Sequence, residues 1–128
     1  MKKIILALLF ASSSSIACMT GHWEEMGKSS SFTIDLVQTG NHVTGKYCFI
    51  TNNGNRIDCA ENDDDDNVHG NIKDGVADIK FESTFDGEGT ASAEIRNNKL
   101  IYTIKDKTPF IQANMSVPTI IEFDKKQK

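Results

Sequence analysis

Long apolar runs are almost missing from this chain of 128 residues. The one present, Ile4 to Ala11, is too short to cross the roughly 30 Å hydrocarbon core, and no later stretch approaches the about 20 apolar residues of a transmembrane helix. Positive charge is in deficit, with 14 Lys and Arg against 18 Asp and Glu. That balance argues against nucleic acid or an anionic membrane surface as a ligand and suits a basic protein partner. Cysteines number only three, and Cys48 with Cys59 offers fewer thiol or imidazole ligands at tight spacing than zinc needs, so no metal is expected. Helical periodicity is not sustained with caps over about 12 residues anywhere, although Phe110 to Met115 has room for one turn. Catalytic signatures are missing as well. There is no Gly-x-Ser-x-Gly elbow, no His-Glu-x-x-His and no phosphate-binding loop, and His22, His42 and His69 sit in no recognised arrangement. Neither an enzyme nor a cofactor is expected.

What is present begins with an export signal. Lys2 and Lys3 supply the positive start, Ile4 to Ala11 the apolar stretch, and Ser15-Ile16-Ala17 the small-x-small pattern of a cleavage site. Residues 1–17 are therefore read as a signal peptide and residues 18–128 as a single β domain, exported and periplasmic. Cleavage would remove two lysines and no acid, taking the net charge from −4 to −6. Ser15-Ile16-Ala17-Cys18 resembles a lipoprotein box with Ser where Leu is usual. Lipidation, a free thiol and intermolecular pairing of Cys18 all stay open.

Cys48 and Cys59 face an oxidising compartment, where a disulfide is the default. A turn centred on Asn53-Gly54 pairs Thr51 with Arg56, Ile50 with Ile57, Phe49 with Asp58, and Cys48 with Cys59. The sulfurs start from opposed positions, within disulfide reach in either hairpin register.

Alternation of period two governs the rest. Phe32, Ile34 and Leu36 lead to a Gly40-Asn41 turn, after which Val43, Gly45, Tyr47 and Phe49 share a face. Val68, Gly70 and Ile72 approach an Asp74-Gly75 turn that Ala77, Ile79 and Phe81 leave; Ala91, Ala93 and Ile95 precede Asn97-Asn98, then Leu100, Tyr102 and Ile104. Thr119 to Phe123 supplies a last strand. The expectation is all-β: an antiparallel meander of about seven or eight strands, forming a small barrel or a sandwich with one hairpin disulfide. Val43-Thr44-Gly45 is echoed by Val68-His69-Gly70.

The densest local charge is Glu61 to Asn67, which contains Asp63, Asp64, Asp65 and Asp66. A helix-loop-helix calcium site starting at Asp63 fails, because Val68 falls where Gly is needed and Asp74 where a bidentate Glu is needed. The segment reads as a solvated loop or as an acidic finger for a basic cleft, helped by Asp86 and Glu88 in the Gly-rich loop Phe85 to Gly89. Asn53-Gly54 is the second candidate contact, as a plug. Trp23 is read as core under one barrel end or, if exposed, as an interface anchor.

Gly21-His22-Trp23-Glu24-Glu25-Met26-Gly27 after the signal, and Val43-Thr44-Gly45-Lys46-Tyr47-Cys48 through Asn53-Gly54-Asn55-Arg56-Ile57-Asp58-Cys59, carry a resemblance. They resemble periplasmic immunity proteins of bacterial type VI secretion systems, in particular the partners of spike effectors with a lysozyme-like muramidase domain. The resemblance implies a non-enzymatic protein, often a homodimer, that blocks the cleft of a basic cell-wall hydrolase and protects the producing cell and its kin. Tyr102-Thr103-Ile104-Lys105-Asp106-Lys107 is similar to an element of inhibitors of host C-type lysozyme, whose Ser-Gly-x-x-Tyr loop is missing here. A lipocalin-like ligand barrel is the third reading, and it requires a cavity.

Overall fold

A computed structural model of the chain describes residues 17–61 and 65–127. The proposed signal, Ala17 excepted, and Asp63 and Asp64 lie outside the described residues. The strands are β1 (Gly21–Met26), β2 (Ser31–Thr39), β3 (His42–Thr51), β4 (Arg56–Cys59), β5 (Val68–Lys73), β6 (Val76–Glu82), β7 (Glu88–Arg96), β8 (Lys99–Asp106) and β9 (Ile120–Lys126). A short helix, α1 (Thr108–Gln112), precedes β9. The paired order is β2-β1-β9-β8-β7-β6-β5-β3-β4, and β2 also pairs with β3. Eight strands thus close into an antiparallel barrel, and β4 is an additional strand on β3.

Closure follows from local instructions that agree with one another. The tight turns fall at the dipeptides expected, joining Thr39 to His42, Lys73 to Val76, and Arg96 to Lys99. Asp74, Asn97 and Asn98 occupy the left-handed region there, which short polar side chains tolerate. These turns crowd one end of the barrel. The other end carries the longer connections, residues 27–30, 52–55, 83–87 and 107–119. β1 has no apolar alternation of its own, since only Trp23 on it is fully buried. It forms because it fills the seam between β2 and β9.

The Val-x-Gly echo is a pairing. Val43 lies opposite Gly70 and Gly45 opposite Val68 across the β3–β5 ladder. Val43 leans over Gly70, where a Cβ would stand 3.2 Å from Val43 Cγ1. β4 and β5 both run antiparallel to β3, against residues 48–51 and 42–45. They therefore form one wall strand interrupted opposite Lys46 and Tyr47, and the acidic segment is the excursion between its halves. Asn67 closes the gap. Its amide Nδ2 donates to the Tyr47 carbonyl at 3.1 Å, and its Oδ1 accepts from the Tyr47 N–H at 2.8 Å.

Inward residues fill the barrel. Near the loop end Tyr47, Phe49, Phe81 and Phe110 pack together, Phe110 from α1 stacking on Phe81 at 5.1 Å between centroids. Phe32, Tyr102 and Phe123 extend the cluster, while Ala77, Ala91 and Ala93 leave room for the large rings from facing strands. α1, with buried Met115 and Val117 after it, seals the loop end. A lipocalin-like reading requires space where these rings stand.

Candidate functional site

The site is assembled on the loop end by strand register. Cys48 and Cys59 are bonded, with their Cα atoms 4.1 Å apart, the closer spacing of a non-hydrogen-bonded pair in a hairpin with a four-residue loop. The bridge fixes β4 to β3 at the mouth of the acidic excursion. Asp58 is the neighbour of Cys59 on the opposite face. Opposite inward Phe49, it is forced into the interior and is 0% exposed.

Four donors converge on that carboxylate. Its Oδ2 accepts from the Tyr47 hydroxyl at 2.7 Å and from Ser83 Oγ at 2.8 Å. Its Oδ1 accepts from the Thr84 N–H and the Thr84 hydroxyl, both at 2.9 Å. Burial, and then the adjacent Asp58 charge, push the Tyr47 hydroxyl far above its ordinary pKa, so it remains a donor. The consequence is spatial. Asp58 ties the hairpin of β3 and β4 to the β6–β7 loop, and so brings Asp86 and Glu88 to the end that carries the Asn53-Gly54 tip.

The sequence-predicted contact residues separate in this geometry. Asp65, Asp86 and Glu88 are exposed. Asp66 is part-exposed and bound by Lys46 at 3.0 Å, so part of its charge is already neutralised. Asn53 and Gly54 are exposed at a tip that is tethered: the Asn53 N–H donates to the Ser29 carbonyl at 3.1 Å, and Arg56 Nε to the Ala113 carbonyl at 2.8 Å. Trp23 corrects the anchor reading. It is 2% exposed and donates its ring N–H to the Met19 carbonyl at 2.9 Å, so its ring serves the core and is closed to a partner.

Sequence reasoning missed Phe85 and Ile111, which are 40% and 69% exposed. The signal for Ile111 was available: Phe110 and Ile111 are adjacent on one turn of helix, and only one of two neighbours can face a core. Asp58 was also legible, since pairing it with Phe49 places it inward.

A second polar cluster sits on the barrel wall. His22 Nδ1 lies 2.7 Å from Asp35 Oδ1, and Nε2 2.8 Å from Glu24 Oε2. Both ring nitrogens are engaged by carboxylates, which suits the imidazolium. His42 and His69 instead line an open groove on the outer wall with Thr44, Asn71, Asp78 and Lys80. Among the described residues no group of three His, Cys, Asp or Glu is placed to hold a metal ion, and no helix is long and apolar enough to cross a membrane. Comparisons of the chain with protein families, characterised proteins and solved structures find no match.

Proposed function

We propose that this chain is a periplasmic immunity protein of a type VI secretion system, one that occupies the active-site cleft of a peptidoglycan-cleaving muramidase effector. The observation that carries the reading is that exposed Asp86 and Glu88 share the sealed loop end of a disulfide-braced barrel with the Asn53-Gly54 tip, and that exposed Asp65, in the neighbouring wall excursion, lines a groove with Ser83 and Thr84 of the same loop. Acidic rims steer association with a basic enzyme, and polar loops on a rigid scaffold enter a cleft with little loss of freedom. The disulfide fits an oxidising, exported setting.

The test is peptidoglycan clearing by a type VI spike-effector muramidase domain and, in parallel, by a C-type lysozyme, each titrated with residues 18–128. Stoichiometric inhibition of the effector domain alone is the expected result; inhibition of the lysozyme alone would transfer the protein to the host-lysozyme inhibitors. Hydrolysis by the protein itself, lost on replacing one carboxylate, would make it an enzyme. Light scattering on the same sample reads the homodimer that the resemblance implies.

A further inference from the structure

The β6–β7 loop is built more firmly than a solvated connection requires. Ser83 and Thr84 are fastened to buried Asp58, the Ser83 N–H donates to the Gly87 carbonyl at 3.1 Å, and the Phe85 N–H donates to Ser83 Oγ at 3.1 Å. That bonding fixes the backbone at Phe85, whose side chain is 40% exposed. A Cβ on Gly87 would lie 3.7 Å from Pro109 Cγ, so the loop rests on the start of α1, whose Ile111 is the most exposed large apolar side chain described. At the base of the loop Glu82 and Glu88 are direct cross-strand partners. Like charges in that position repel, and among the described residues neither they nor Asp86 form an ion pair within 4.0 Å. Phe85 thus stands partly in solvent beside facing carboxylates that no ion pair offsets. A basic, partly apolar protein surface matches both.

We propose that this loop is the anchor of the interface: Phe85, supported by Ile111, seats in an apolar hollow of a basic protein partner, and Glu82, Asp86 and Glu88 form a collar around an Arg or Lys at its rim. The inference rests on the preceding reading only for the partner being a cell-wall hydrolase. The contact chemistry stands on the loop. Truncating a preorganised, centrally placed aromatic anchor weakens such complexes by about thirtyfold or more, whereas rim charges act chiefly on association.

The experiment places the photo-crosslinking residue p-benzoylphenylalanine at position 85 or 111, or at Thr44 or His69 on the outer wall as controls, in the full chain expressed in cells that naturally carry the gene. The expected result is one basic protein captured from 85 and 111 but not from 44 or 69, with the adduct reduced about tenfold by Glu82→Gln, Asp86→Asn and Glu88→Gln together. Thermal melts of each variant, read by circular dichroism, verify folding; neutralising the facing pair should raise the melting temperature of the free protein. Equal capture from the wall, an acidic captured protein, no adduct at 85, or an adduct indifferent to the triple substitution would each overturn the proposal. A charge-dependent adduct with a basic protein that cleaves no peptidoglycan would leave the docking loop standing and remove the immunity reading.

Discussion

At the scale of single residues, His22 makes the free protein sensitive to pH. Burial opposes its charge, but the hydrogen bonds to Asp35 and Glu24 outweigh that, and its pKa is raised above 6.5. The charges around it are Lys126 opposite it on β9, Lys46 opposite Asp35 on β3, and Asp124 opposite Glu24. A raised folded pKa contributes stability fully below the unfolded value of 6.5 and loses it as pH rises through the folded one. The melting temperature should therefore fall between about pH 6 and pH 8, less so in His22→Gln, and an NMR titration of the ring should place its midpoint above the ordinary value. Asp58→Ala strips four donors of one acceptor at once. A loss of about 3 kcal/mol or more is expected, together with faster hydrogen exchange at the Thr84 amide, which would otherwise be protected by Asp58. Neither residue advertises itself locally. The inward turn of Asp58 can be derived from the hairpin register, but the convergence of Ser83 and Thr84 on it depends on barrel closure, which alternation alone does not encode.

At the scale of elements, turn chemistry was the most legible level. Positions that tolerate positive φ marked every tight hairpin, and each hairpin fixed its own register. β1 was illegible for the opposite reason, because it must fill a seam closed by β9 from the far end of the chain and its outward residues are mostly charged. The interruption between β4 and β5 reads locally as a solvated loop or an acidic finger, since nothing nearby in sequence shows that both flanking strands serve the same edge of β3. The disulfide belongs to this scale. With a sequence separation of 11, its removal in Cys48→Ser/Cys59→Ser should cost about 3 kcal/mol on chain-entropy grounds, read as a lower denaturant midpoint with an unchanged slope. Asn67 should then carry the closure of the gap alone, and amide exchange at Tyr47 should rise in the same variant.

For the molecule as a whole, the connections 27–30, 52–55, 83–87 and 107–119 lie at one end, and both described chain ends lie at the other. β1 enters the wall and β9 leaves it as neighbours, with His22 opposite Lys126. That adjacency lets the two described ends be joined without disturbing a ladder. A short Gly-Ser bridge from Gln127 to Thr20, with new ends opened between Asn62 and Asp64, gives a circular permutant whose strand pairings are all retained. It should fold with its Cys48–Cys59 bond intact and melt close to the parent, as measured by circular dichroism, because none of the described residues of the opened excursion forms a ladder pair. The same geography makes a fusion or immobilisation tag harmless at Thr20 or Gln127: it sits at the turn end, across the barrel from the Phe85 loop, so a protein tethered there presents its opposite pole outward.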